Sequence, residues 1–353
     1  MSQDDVFLKG TRLVNERIKS LDALRAIAIS LVVLAHIVLG YGAPEGLAPL
    51  QFGGVGVDLF FVLSGWLLGG QLFKQSRAGT LNVYEFWQKR WYRTLPAYYA
   101  VLGFTILQQY LTKPDFNAPL EYFIFLQNYD LPLEIFYISW SLSVEEQFYL
   151  FIAPTIFLIT KVSRHKQLLL LVILFLTPSI FRFLGLYEDT IQTHVRVDGC
   201  IAGVLLAFLK NQYESLWNYL KDISGLLFTI SLGMFFYFAI QRWIPALPVL
   251  EFGYLERAFV FSTWVLYANS SASKQSKSFP GAYYIATRSY SMYLLHPDAI
   301  AATNRLFSEL SFFSYLMLVS LITIATSELL YKFVELPGMK FRDKRHHKDN
   351  TKK

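Results

Sequence analysis

The chain has 353 residues, 54% of them hydrophobic and only 16% charged, with a mean hydropathy of +0.36. A water-soluble domain of this length could not bury so much apolar surface. The net charge of +6 would suggest nucleic acid as the partner of a soluble protein; on so apolar a chain its distribution carries the information instead, and no nucleic-acid partner is expected.

The runs Phe52–Phe73, Gln167–Phe181, Ile223–Ile240 and Phe312–Val334 are long enough to cross a ~30 Å hydrocarbon core as helices of about 20 residues. They are apolar on every face, which excludes the alternating strands of a membrane barrel. The expected fold is all-α, a polytopic integral membrane helical bundle of about ten transmembrane helices. The spans fall at roughly 21–41, 52–73, 94–112, 141–160, 167–186, 195–209, 223–241, 254–271, 282–301 and 312–334. With the N-terminus inside, the inner segments and span ends carry Lys9, Arg12, Arg17, Lys19, Arg25, Lys74, Arg77, Lys89, Arg90, Arg93, Lys161, Arg164, Lys166, Lys210, Lys221, Lys274, Lys277, Arg288, Lys332 and the basic tail. Only Lys113, Arg242 and Arg305 fall in outer loops, so both termini are expected in the cytoplasm. This divides the chain into a cytoplasmic N-terminal segment (1–20), a transmembrane domain (21–337) and a solvated basic tail (338–353) in a multi-pass protein of the cell (inner, cytoplasmic) membrane. The first apolar stretch lacks a small-residue cleavage site and reads as an uncleaved anchor. Cys200 is the only cysteine, which excludes an internal disulfide.

Ionisable residues inside spans are costly, so each is a functional candidate. In the first span Arg25 and His36 lie 11 residues apart, a rise of roughly 16 Å that brings both to one helix face. Asp22 joins that face and can pair with Arg25. The second span carries Asp58 about two turns in, with glycines and Ser64 that allow close helix approach. Lys89, Arg90 and Arg93 open the third span, and Arg90 and Arg93, one turn apart, can clamp a phosphate with Lys89 or Arg25. The fourth span begins at Trp140 and holds Glu145 and Glu146. From topology, His36, Asp58 and one of Glu145 or Glu146 fall in one outer layer, and a histidine oriented by a carboxylate is a general-base device. In the sixth span Arg196 and Asp198 are expected to satisfy each other. His296, in the ninth span beside Pro297, reads alone as structural. His296, Glu146, Ser64 and Trp140 complete the candidates for the site. No close-spaced ligand pair such as H-E-x-x-H is present, and no metal is expected.

Six segments together resemble the acyltransferase-3 family of integral membrane O-acyltransferases. They are Arg-x₁₀-His from Arg25 to His36, Gly-Val-Asp-Leu-Phe-Phe-Val-Leu-Ser-Gly at 56–65, Arg-x-x-Arg at 90–93, Trp-Ser-Leu-Ser-Val-Glu-Glu-Gln-Phe-Tyr at 140–149, Tyr-Ser-Met-Tyr-Leu-Leu-His-Pro at 290–297, and Glu335-Leu336-Pro337. They occur in order across residues 21–337, and the chain is similar to the stand-alone form without an appended esterase-like domain. Trp66 departs from the phenylalanine usual after the Ser-Gly pair, a change of packing.

The resemblance implies an enzyme that moves an acyl group, usually acetyl from acetyl-CoA, to a hydroxyl of a carbohydrate or other envelope acceptor. The family arginine and histidine carry over to Arg25 and His36, its paired arginines to Arg90 and Arg93. Acyl-CoA, the co-substrate, would then lie against Arg90, Arg93, Arg25 and Lys89, and His36, oriented by Asp58 or Glu145, would deprotonate the acceptor. Direct attack on the thioester is the preferred route and an acyl-His36 intermediate the variant. The competing class is a proton-coupled transporter of an envelope precursor, which in-span histidines and carboxylates would also suit. The inner arginine clamp, which a proton relay does not need, argues for the enzyme. Aromatic residues across Tyr122–Tyr137 could stack on sugar rings.

Overall fold

The structure, a computed structural model, describes residues 19–350 except 242, 245, 271–278 and 308, with backbone alone for 345–350. Of the expected N-terminal segment only Lys19 and Ser20 are therefore described, and Arg242, Lys274, Lys277 and the end of the tail lie outside the described residues. The described residues form twelve helices of nine residues or more and no strand. These are α1 (Lys19–Gly40), α2 (Gly56–Arg77), α3 (Val83–Thr112), α4 (Trp140–Ile159), α5 (Arg164–Phe183), α6 (Asp198–Gln212), α7 (Glu214–Asp222), α8 (Ser224–Ile240), α9 (Tyr254–Ala268), α10 (Ala282–Leu306), α11 (Phe312–Leu330) and α12 (Leu336–Asn350). A π-helical turn, Tyr331–Glu335, joins the last two.

Each of the ten segments expected to span is helical. Among the described residues, five elements are long and apolar enough to cross a membrane, and α7 with α8, bent by 60° at their junction, would add a sixth as one broken span. The helices α6 and α9 have 15 residues each, a rise of about 22 Å. Protein, not lipid, surrounds much of α6, where Cys200, Ile201, Val204, Ala207 and Phe208 are fully buried.

Small residues set how the helices pack. α2 carries Gly65-x-x-x-Gly69 and α6 carries Gly199-x-x-x-Gly203, and the two helices run parallel with these faces together. A Cβ on Gly65 would strike the backbone carbonyl of Cys200, and one on Gly203 would strike the backbone at Val62 and Trp66. Only glycine allows this approach, which brings backbones close enough for dispersion to hold them. α1 and α2 run antiparallel, with Gly53 against Leu31 and Gly56 against Ala28 and Val32. α10 lies parallel to α1, with Ile300 against Gly40. The helix α1 stops where Gly42 takes φ +97°, letting the amide of Ala43 donate to the carbonyl of Val38 at 2.9 Å.

Between α3 and α4 the chain forms short 3₁₀ turns tied to the bundle by side chains. Tyr122 donates to the Ile135 carbonyl at 2.6 Å, Gln127 to Ser139 Oγ at 3.0 Å, and Asn128 to Thr193 Oγ1 at 2.9 Å. The basic tail begins within a helix, Leu336 to Asn350, which packs on α3, with Gly338 against Tyr92 and Pro96 and Phe341 edge-on to Tyr92.

Gly65→Ala should destabilise the folded protein by about 1–3 kcal/mol, because backbone must shift to admit the methyl group. Gly70→Ala, one turn on with open space around it, should be neutral or slightly stabilising. Thermal unfolding of the purified variants in detergent, with equal losses for both, would show that the close crossing is not what holds this pair.

Candidate active site

Five helices meet around a cavity of about 120 Å³. Arg25 comes from α1, Ser64 from α2, Arg90 and Arg93 from α3, Glu145 and Tyr149 from α4, and Tyr290 and Tyr293 from α10. Five residues singled out from sequence, Arg25, Ser64, Arg90, Arg93 and Glu145, thus line one cavity. Arg93 is exposed and marks the mouth. Arg25 contacts Asp22 at 3.3 Å, as its spacing suggested. Arg90 donates to Gln71 Oε1 at 3.3 Å, and its Nε is buried with no hydrogen-bond partner. Among the described residues no carboxylate lies within salt-bridge distance of Arg90 or Arg93. A buried guanidinium with an unused donor beside a second arginine suits an anionic oxygen. Lys89 does not line the cavity; its amine pairs with Glu85 at 2.6 Å.

Glu145 accepts from Ser64 Oγ at 2.8 Å and from Tyr149 at 3.0 Å, so both its oxygens are engaged in the cavity wall. Glu146, buried beside it, accepts from Thr94 at 2.7 Å. One turn before Glu145, Ser141 and Tyr293 place their hydroxyls 2.5 Å apart, and Tyr293 donates to the Ile138 carbonyl at 2.9 Å. That hydroxyl pair lines the end of the cavity furthest along α10.

Beyond it, three residues further along α10, lies His296. His296 is fully buried, and its Nε2 is 3.0 Å from Nδ1 of the half-buried His36. The edge of Tyr137 covers His36 with ring centroids 5.8 Å apart. Sequence reasoning left His296 structural because nothing in one helix reveals the axial offset of another.

The expected outer layer of His36, Asp58 and Glu145 does not form. Gly56 sits level with Ala28 on an antiparallel helix, so Asp58 lies still further from His36, which is eight residues, about 12 Å, beyond Ala28. Glu145 is lower again, beside Ser64. Asp58 is instead buried in ion pairs with Arg196 and, at 3.5 Å, Arg257. The expected Arg196–Asp198 pair is also replaced, since Asp198 binds Arg182 at 2.8 Å. The three guanidinium groups converge on the Tyr254 ring, 4.6, 4.4 and 4.7 Å from its centroid for Arg182, Arg196 and Arg257, a setting in which the aromatic face replaces part of their lost hydration. Trp140 and Phe61 add faces to Arg196 at 5.5 and 5.3 Å. Trp140 is therefore part of this charge cluster. The paired G-x-x-x-G segments were the sequence signal for the Asp58–Arg196 pairing. Of the aromatics across Tyr122–Tyr137, Tyr122 is buried in the loop and unavailable for stacking, whereas Tyr129 and Tyr137 are exposed.

Residues 18–332 match the acyltransferase-3 family model, described as an acyltransferase domain. The peptidoglycan O-acetyltransferase OatA of Listeria monocytogenes is 26% identical over 93% of this chain and 56% of its own length. The O-acetyltransferase OatA of Staphylococcus aureus NCTC 8325 is 26% identical over 90% of this chain and 56% of its own. A protein of S. aureus strain COL with a provisional O-acetyltransferase name is 29% identical over 92% and 57%. The chain spans little more than half the length of these relatives. No solved structure matches it.

Removing one partner of the Asp58 pair leaves a buried charge uncompensated, so Asp58→Ala should cost on the order of 3–5 kcal/mol of stability. Combining it with Arg196→Met should recover part of that loss. Thermal unfolding of the single and double variants is the measurement. An Asp58→Ala protein as stable as wild type yet inactive would return Asp58 to the chemistry.

Proposed function

Because the chain belongs to the acyltransferase-3 family, we propose that it is a membrane O-acetyltransferase. It takes an acyl group, acetyl first among the candidates, from cytoplasmic acyl-CoA to a hydroxyl of an extracytoplasmic carbohydrate or other envelope acceptor. The observation that carries this reading is the convergence of Arg25, Arg90 and Arg93 on one cavity whose Tyr293 end lies one turn from the His36–His296 pair. The bundle crosses the membrane about ten times with both termini cytoplasmic, a reading supported by the concentration of lysine and arginine on one side. The arginine mouth then faces the compartment that holds CoA, and His36 faces outward.

In this mechanism the phosphates of CoA bind Arg90, Arg93 and Arg25, with the unused Nε of Arg90 among the donors. The pantetheine arm runs along the cavity, and the rise from Arg25 to His36, roughly 16 Å, is comparable to its reach. The hydroxyls of Ser64 and Tyr149, held by Glu145, form the polar part of the wall along that path. His36 takes the proton of the acceptor hydroxyl as its oxygen attacks the thioester carbonyl. The carbon–sulfur bond breaks, and the proton on His36 passes to the departing thiolate. The Tyr293–Ser141 pair has to part for the thioester and the acceptor to meet. A glycan acceptor is supported by the relative named for peptidoglycan and by the exposed rings of Tyr129 and Tyr137.

Arg90→Ala should raise KM for acetyl-CoA on the order of 10- to 100-fold, the loss of a charge-assisted contact, with acceptor KM nearly unchanged. His36→Ala should abolish transfer in a protein that still binds acetyl-CoA. An Arg90→Ala protein that weakens both substrates equally would point to misfolding, and an active His36→Ala protein would end the general-base role.

Sidedness separates this enzyme from a proton-coupled exporter, which would carry the acceptor itself. In proteoliposomes oriented as in the cell, acetyl-CoA on the cytoplasmic side should acetylate acceptor present only outside. Equal or better transfer with both substrates outside would overturn the proposed topology.

A further inference from the structure

We propose that His296 is a positioning residue that fixes which nitrogen of His36 is basic, an inference that rests on His36 as the general base. The Nδ1 of His296 faces the backbone carbonyls of Tyr293 at 2.8 Å and Met292 at 3.1 Å. Carbonyl oxygens only accept hydrogen bonds, so this nitrogen carries the proton. In a neutral imidazole the other nitrogen, Nε2, then holds a lone pair. That lone pair lies 3.0 Å from Nδ1 of His36. Two lone pairs cannot face each other at this distance, so His36 Nδ1 carries a proton and donates it to His296. The same logic leaves His36 Nε2 unprotonated.

The consequence is a chain of fixed direction: backbone carbonyl, His296, His36, and then a basic nitrogen whose lone pair is free for the acceptor hydroxyl. Free imidazole in water favours the opposite tautomer, so without His296 the choice would rest on the Val32 carbonyl alone. His296 is suited to enforce the choice because it is itself immobilised. It is fully buried, on the helix that packs along α1 in constant register, with Ile300 against Gly40 one turn beyond the His296–His36 contact. A backbone carbonyl cannot move to a different partner as a carboxylate can. This arrangement does for His36 what a second-layer carboxylate does for the histidine of a catalytic triad, but without placing a negative charge in apolar surroundings. It also explains why Asp58 is free to serve the arginine cluster.

The test compares His296→Gln with His296→Phe. Glutamine offers a carbonyl oxygen that can accept from His36 Nδ1; phenylalanine fills the space and accepts nothing. Activity of His296→Phe should fall in kcat on the order of 10- to 100-fold, a part of what a general base contributes. Its KM for acetyl-CoA should stay within about twofold, since the arginines lie on other helices. His296→Gln should regain at least a tenth of wild-type kcat. A folded His296→Phe protein with unchanged kcat would overturn the proposal, as would a His296→Gln protein no better than His296→Phe. Nitrogen-15 NMR of histidine-labelled wild-type protein, with the His36 signals assigned by their loss in His36→Asn, reads the tautomer without catalysis or any variant at position 296. Protonated Nδ1 and unprotonated Nε2 on His36 are expected; the reverse overturns the tautomer assignment even if His36→Ala is inactive. An active His36→Ala protein removes the base itself and overturns the proposed role of His296 whichever tautomer is found.

Discussion

A charge held away from water must be met by another group of the protein, and the meeting of Asp58 with Arg196 sets the register of the bundle. The two residues are 138 apart in sequence. Gly65 and Gly203, where the backbones of α2 and α6 touch, are separated by the same number, as are Phe61 and Gly199. The buried ion pair and the glycine contacts therefore specify one alignment of two parallel helices, and sliding by a turn would lose both together. Once α2 is fixed against α6, Ser64, about 100° around the helix from Gly65, meets Glu145, and the cavity wall follows. Stability and chemistry thus use neighbouring faces of the same helix, with Phe61 serving both.

The helices themselves were legible because apolar runs in a membrane chain have few alternatives, and the arginine mouth because charges inside spans are too costly to be incidental. Depth was not legible. Topology tells which end of a span a residue is near, but not where that span begins along its neighbour. Here the turns Glu45–Leu47, Ala48–Gln51 and Phe52–Val55 descend beside α1, placing Gly53 at Leu31 before α2 starts. Asp58 consequently falls a layer lower than span counting puts it. The His36–His296 contact was hidden for the same reason, since two helices 260 residues apart meet at a register that only packing decides. Arg196 was given to the carboxylate nearest in sequence, whereas the fold gives it one from a different helix.

Two regions of different character emerge along α10. Its N-terminal half supplies Tyr290 and Tyr293 to the cavity, and its C-terminal half supplies His296, the partner of His36. One rigid helix therefore holds both regions at a fixed separation, and α3 carries the arginines at a point braced by α12 through Tyr92, Pro96 and Gly338. Glu335, in the π-helical turn before α12, accepts from Ser291 on α10. Through that bond the brace and the helix of His296 are linked, and the mouth and the proposed reactive end belong to one connected frame.

The hydroxyl pair of Tyr293 and Ser141 has an electrical consequence. In the proposed orientation a cavity lined mainly by apolar side chains, with Arg25, Arg90 and Arg93 among them, rises from the cytoplasm to that pair, and a half-buried histidine faces the other side just beyond it. Where CoA and water enter that cavity, the membrane potential falls mostly across the side chains beyond it. A proton crossing there would feel nearly the whole field, about 2.3 kcal/mol for each 100 mV, and a water-filled gap would short-circuit the membrane. Tyr293 and Ser141 satisfy each other and the Ile138 carbonyl. An acetyl group carries no charge and can cross the same layer without sensing the voltage, so group transfer and insulation can coexist at one point in the protein.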